Sequence, residues 1–193
     1  MKVALRKIQG PWDAGWVLDK HSVSSVCVGY DAYNHPRFET VRTEVGEATF
    51  QLKYRFQFDL AEPLAKALAT QIYPRLNNVG LIVPMPASTK RSLQPVTAVA
   101  DALGVAVKKP VFHELLLKTP NGQSLKNLHT KAEKEAAIAD SFYVQDEIAG
   151  DGAWNVLVVD DLFHTGASME AACKALRTYP KIRNIYMAAL TWR

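Results

Sequence analysis

Long apolar runs are missing from this chain and cysteine is scarce, with only Cys27 and Cys173 in 193 residues. Two thiols so far apart make neither a disulfide framework nor a zinc site. No stretch reaches the ~20 apolar residues that a membrane-spanning helix needs, and Met1 to Trp16 carries charges but no apolar signal core. A cytoplasmic address without membrane attachment is therefore expected. Low-complexity tracts and internal repeats are also lacking, which excludes repeat arrays and extended disorder. There is no Gly-x-x-x-x-Gly-Lys-Ser/Thr phosphate loop and no Gly-x-Ser-x-Gly nucleophile elbow.

What is present is ordinary for a chain with one packed core: 48% apolar and 22% charged residues, at a length that fits one domain with at most a small appendage. The net charge of +4 is spread over small groups such as Lys2/Arg6/Lys7, Lys90-Arg91, Lys108-Lys109 and Lys131/Lys134. A mild basic excess of this kind suits phosphorylated small molecules. It allows nucleic acid as a partner without indicating it.

The first 58 residues read as β-rich. Trp16-Val17-Leu18 and Val23 to Tyr30 carry strand residues, Asp31 to Pro36 is turn material, and Phe38 to Tyr54 alternates at Phe50, Leu52 and Tyr54. From Asp59 the period changes. Leu60, Leu64, Leu68 and Ile72 form a helical stripe, with Asp59 and Glu62 placed for a capping box and Pro63 tolerable in the first turn. Gly80 to Val83 reads as a buried strand ended by Pro84-Met85-Pro86. A helix carrying Val96, Val99, Ala100 and Leu103 comes next, with Gly104 as its stop and Val105 to Leu117 as the next strand. Lys118 to Glu135 is polar, is broken by Pro120-Asn121-Gly122, and reads as a long functional loop. Val156 to Val159 is a continuous β-branched run, the mark of a strand buried on both faces. A helix with Met169, Ala172, Cys173 and Leu176 on one face and a last strand over Ile185 to Leu190 complete an α/β fold with a mainly parallel sheet.

Ligands in such a sheet sit outside the carboxyl ends of the strands, and Asp160-Asp161 stands there. The turn after it contains Thr165 and Gly166 and leads into a helix near Ser168. Free N–H groups and the positive end of the helix dipole make that junction a seat for a phosphate, with Gly166 permitting close approach and the Thr165 and Ser168 hydroxyls adding donors. Two adjacent carboxylates would repel a phosphate unless they served sugar hydroxyls or a bound Mg²⁺. Alone, an Asp-Asp pair or a Thr-Gly step reads as turn chemistry and Ser168 as a cap. The joint pattern of strand, acidic pair, glycine turn and helix is far more specific.

Val156 to Ser168 resembles the phosphoribosyl-pyrophosphate signature of type I phosphoribosyltransferases. The resemblance implies a type I, Rossmann-like α/β fold. It also implies that Asp160 and Asp161, the catalytic candidates, hold the ribose 2′- and 3′-hydroxyls. His164, Thr165, Gly166, Ala167 and Ser168 would then wrap the 5′-phosphate, His164 standing where most members carry Ser or Thr. Ile82 to Arg91 is similar to the strand and pyrophosphate loop of the ComF branch, so Ala87, Ser88, Lys90 and Arg91 are expected around a leaving pyrophosphate. Lys118-Thr119, Gln123 and Leu125-Lys126-Asn127, ahead of Ser141-Phe142, resemble that branch's mobile loop and bring Lys118, Gln123 and Lys126 to the same ligand.

The activity implied by this resemblance is phosphoribosyl transfer from phosphoribosyl pyrophosphate to a nitrogenous acceptor. Mg²⁺ would be the cofactor, with no direct protein ligand assigned to it. Residues 59–193 would form the core and residues 1–58 a small β-rich hood, and a homodimer is allowed. The other class is a non-catalytic ribose-phosphate-binding module, since ComF-like proteins are associated with natural competence and DNA uptake. A response regulator is excluded by order, because there the acidic pair follows the first strand.

Overall fold

The computed structural model describes residues 1–87, 92–119 and 141–193. Its centre is a five-stranded sheet of β1 (Arg6–Lys7), β2 (Ala14–Lys20), β9 (Ile182–Trp192), β8 (Trp154–Phe163) and β5 (Val79–Pro84), neighbours in that order. β2, β9, β8 and β5 run parallel, and β1 alone is antiparallel. The expectation of an α/β fold with a mainly parallel sheet holds. Val156 to Val159 in β8 are all buried, as a strand covered on both faces must be.

Helices cover one face: α1 (Glu44–Tyr54), α2 (Ala61–Gln71) and α3 (Pro95–Val107). Leu52, Leu64, Leu68 and Leu103 pack there against Leu157, Val159 and Leu190. On the other face α4 (Ala167–Arg177) places Met169, Cys173 and Leu176 against Val156, Val158 and Met187. The short pair β6 (Leu116–Lys118) and β7 (Phe142–Val144) extends that layer through Leu116 and Phe142. A second two-stranded unit, β3 (Ser22–Tyr30) with β4 (Pro36–Arg42), lies outside the main sheet. No helix among the described residues is long and apolar enough to cross a membrane.

Several local expectations change. Phe38 to Tyr54 is strand only as far as Arg42, and α1 comes after it. Thr43 caps that helix by accepting from the Gly46 amide (2.9 Å), Glu44 and Glu47 occupy its first turn, and Val45, Ala48, Thr49 and Leu52 supply a buried helical stripe. The alternation of Phe50, Leu52 and Tyr54 is incidental. No capping box forms at Asp59 and Glu62, because a 3-10 turn over Phe58–Leu60 runs straight into α2. α3 continues past Gly104 to Val107 and ends on Lys108 in the left-handed region, whose amide reaches back to the last carbonyls. Val105 to Leu117 is therefore not one strand. It supplies the end of α3, an isolated parallel bridge from Val111 to Ile82, and the start of β6.

The N-terminal segment also divides differently from the sequence pattern. β1 and β2 belong to the main sheet, with β2 hydrogen-bonded along β9 from Ala14↔Tyr186 to Lys20↔Trp192. Within residues 1–58 only the β3–β4 ribbon and α1 stand apart from it.

Candidate functional site

Register places the acidic pair. β5 ends at Pro84, which is level with Val159, and the Met85 amide donates to the Val159 carbonyl (2.8 Å) before the chain turns away. β8 continues for four more residues, Asp160 to Phe163, flanked on one side by β9 alone. Asp160 and Asp161 are thus the first residues past the end of β5, at the carboxyl edge of a parallel sheet, where one flank is open to a ligand. The strand is longer than its apolar run, so the pair lies within it rather than after it.

A cleft of about 330 Å³ opens at this point, lined by Asp160, Asp161, Ser168, Ala87, Lys118 and the unforeseen Lys53, with Met85, Gln94 and Phe142 among its other walls. That volume is at the lower end for small-ligand sites. Four of its side chains carry charge, and they pair by sign. Lys53 Nζ contacts Asp161 Oδ2, and the positive end of Lys118 acts on Asp160 while lying over the Phe142 ring (5.4 Å). Burial lowers the pKa of Lys118, with Asp160 opposing the shift.

Asp160 is the perturbed group. Burial, and then the neighbouring Asp161 charge, push its pKa from 3.8 up to about 7, although its carboxylate accepts the Asp161 amide (2.8 Å). The unfolded chain loses this proton near pH 3.8 and the folded chain near 7. Between those values the native state holds the extra proton, so stability falls as pH rises through the window. Asp160→Asn removes the charge that burial disfavours. It is expected to be more stable than the wild type at pH 8, by on the order of a few kcal/mol, and to lose that advantage at pH 4. Melting curves that stay parallel across this range would contradict the placement of a crowded, half-buried carboxylate here.

The far side of Asp161 is tied into the scaffold. Its carbonyl accepts the Thr191 hydroxyl (2.9 Å), and His21 Nδ1 lies 3.2 Å from the same hydroxyl oxygen. Because Thr191 donates to a carbonyl, His21 must carry its proton on Nδ1. Burial, followed by the positive charges of Arg193 and Arg42, lowers the His21 pKa and keeps the ring neutral. The carbonyl of His21 also sets α1. A Cβ on Gly46 would lie 1.9 Å from that oxygen, so only glycine lets the helix approach this closely. That approach carries Lys53, near the end of α1, onto Asp161. The Gly46–His21 contact and Lys53 were absent from the sequence-based site, since no motif links α1 to β8.

The turn that follows the acidic pair is built as its residue types require. Gly166, buried with φ +87°, is the N-cap of α4, and Ala167 and Ser168 open the helix. Thr165 Oγ1 accepts from the Ala167 amide (3.4 Å), while His164 and Thr165 are exposed. The Glu170 carboxylate lies beside the turn and opposes an anion there, against the backbone N–H groups and helix dipole, which favour one. The structure brings Asp160, Asp161, Ser168, Ala87 and Lys118 to one cleft, whereas His164, Thr165, Gly166 and Ala167 are not among its lining residues. Ser88, Lys90, Arg91, Gln123 and Lys126 lie outside the described residues. Among the described residues no three His, Cys, Asp or Glu side chains cluster as a metal cage.

The sequence matches no protein-family profile and no curated protein. The structure is similar to solved phosphoribosyltransferases. Adenine phosphoribosyltransferase from Saccharomyces cerevisiae aligns at 15% identity over 85% of this chain and 83% of that one, with a TM-score of 0.44. Adenine phosphoribosyltransferase from Thermoanaerobacter pseudethanolicus aligns at 18% identity over 89% and 96%, with a TM-score of 0.43. A hypoxanthine-guanine phosphoribosyltransferase from Bacillus anthracis aligns at 14% identity over 71% of each chain, with a TM-score of 0.46. At these identities and TM-scores the neighbours define neither a family nor an activity for this chain.

Proposed function

We propose that the cleft binds phosphoribosyl pyrophosphate and that the protein transfers its phosphoribosyl group to a nitrogenous acceptor. The observation that carries this reading is the pair of half-buried carboxylates past the end of β5, five residues along the chain from a left-handed glycine at a helix N-terminus. Carboxylates accept from hydroxyls and repel phosphate, whereas the turn favours anions. A ligand with vicinal hydroxyls and a phosphate on one small ring satisfies both. Asp160 and Asp161 would accept from the 2′- and 3′-hydroxyls, and the 164–168 turn would take the 5′-phosphate.

In the reaction the acceptor nitrogen forms a bond to C1 of the ribose as the C1–O bond to pyrophosphate breaks. The bonding pair leaves with pyrophosphate, and the acceptor's proton passes to solvent or to the leaving group. The chain's contribution is positioning and charge: ribose held by two anchored carboxylates, and cations near the departing oxyanions. Lys118, at the cleft, is one such cation. Lys90, Arg91 and Lys126 are assigned to that role by the ComF-like motif alone, with Ser88 and Gln123 as uncharged hydrogen-bond donors to the same group. The crowded carboxylates fit a Mg²⁺ ion held chiefly by ligand oxygens, with Asp160 and Asp161 acting through the ribose hydroxyls they would accept from, rather than an ion caged by protein. When bound, Mg²⁺ would neutralise pyrophosphate charge. α1 supplies the N-terminal wall of the cleft through Lys53, and this is the part of residues 1–58 assigned here to a hood.

Incubation with phosphoribosyl pyrophosphate, Mg²⁺ and a panel of bases and amines is expected to release pyrophosphate only when the acceptor is present. Saturable binding without release under any acceptor would instead assign a ribose-phosphate-binding module.

A further inference from the structure

The β3–β4 ribbon lies outside the cleft wall and contributes no residue to it. Two-stranded ribbons are marginal in water, and three or more strands with an apolar face are the usual minimum for stability. This one leaves Val23, Val26, Val28, Tyr30, Phe38 and Val41 between 55% and 65% exposed. Such a concentration of large apolar side chains on one small unit differs from the scattered exposure normal for a monomer surface.

The ribbon's two edges are chemically unlike. β4 carries Pro36, Arg37, Glu39 and Arg42, the charges and proline with which native sheets blunt a free edge. β3, Ser-Val-Ser-Ser-Val-Cys-Val-Gly-Tyr, has no charge and no proline along nine residues, and among the described residues it pairs with β4 alone. Between the register shifts at Ser22/Ser24 and Cys27/Gly29, the outer N–H and C=O groups of Ser24 to Cys27 form a regular template for another strand.

We infer that β3 pairs antiparallel with β3 of a second copy of this chain, joining two ribbons into a four-stranded sheet about a two-fold axis. Three observations select a second copy as the occupant. An uncharged strand meets its own copy without like charges opposed, whereas most other contacts between two chains of net charge +4 begin with repulsion. Two strands from each copy supply the strand count that one ribbon lacks. The guarded β4 edges then fall at the outside of the new sheet and stop further addition, which gives a closed dimer rather than a fibre.

Cys27 is an exposed reporter one residue from Val26 at the middle of β3, while Cys173 is buried. Two-fold pairing near that midpoint brings the two Cys27 residues within about 10 Å of each other. The test is sedimentation of the full chain over a concentration series, together with cross-linking by a short bis-maleimide. The wild type is expected to sediment at twice the mass of a single chain and to cross-link through Cys27, a product lost in Cys27→Ser. Val26→Lys puts a charge on an exposed position, so its melting curve should match that of the wild type when both are diluted to monomer. Its dimer should dissociate at least tenfold more readily. A wild type that stays monomeric at about 100 µM without cross-linking overturns the inference and leaves the ribbon to a different partner, since interfaces of ordinary size hold well below that concentration. A dimer untouched by Val26→Lys overturns it equally.

Discussion

The double substitution Asp160→Asn with Asp161→Asn is expected to weaken binding of phosphoribosyl pyrophosphate by about a hundredfold or more while leaving the fold in place. Hydrogen bonds to an ionised acceptor contribute roughly 1.5–3 kcal/mol each, and two are lost or reduced to neutral ones. Asn preserves the shape of both side chains, so the loss reads charge and not cavity formation. The stability change is small because two effects oppose. At position 160 a carboxylate that burial disfavours is removed, and at position 161 the ion pair with Lys53 is broken. Inorganic phosphate, which needs only the 164–168 turn, should bind the double variant as well as it binds the wild type. Unchanged affinity for the full ligand in a folded double variant would remove Asp160 and Asp161 from the site.

Gly166→Val tests the other half of the proposed ligand. At φ +87° a β-branched side chain is strained by roughly 1–2 kcal/mol, and its Cβ would lie 3.1 Å and 3.3 Å from two Phe163 ring atoms. The turn must shift, and the amides at the start of α4 shift with it. Ribose 5-phosphate and phosphoribosyl pyrophosphate are expected to lose affinity in the same proportion, by tenfold or more, with a melting temperature several degrees lower. Lys90→Ala with Arg91→Ala should weaken only the pyrophosphate-bearing ligand. If titrations show the two variants affecting both ligands alike, the division into a 5′-phosphate seat and a pyrophosphate seat is wrong.

How much of this is legible in the sequence depends on whether the signal is local. The buried run Val156 to Val159, the glycine turn and the stripe Leu64, Leu68 and Ile72 are each set by neighbours in the chain and fall where their patterns say, while the acidic pair lies inside a strand that outlasts its apolar run. α1 is hidden because Phe50, Leu52 and Tyr54 alternate along a helix whose true core stripe is Val45, Ala48 and Leu52. The place of β2 in the main sheet is decided by β9, at the opposite end of the chain, and no local pattern in Ala14 to Lys20 states its partner. Lys53 escapes the sequence pattern for the same reason. The one hint lies in Gly46, whose missing side chain admits His21 and so delivers α1 to the acidic pair, and a lone glycine in a polar helix does not announce its contact.

If one cleft recognises both the ribose hydroxyls and the phosphate of a single ligand, calorimetric titration of the wild-type chain with phosphoribosyl pyrophosphate and Mg²⁺ will register it. Saturable binding at one ligand per chain is expected. It should strengthen as pH rises from 5 to 8, because Asp160, with its pKa at about 7, must release its proton to accept fully from the sugar. No saturable heat at any pH in that range, or binding that weakens across it, would contradict a ribose-phosphate site at Asp160 and Asp161.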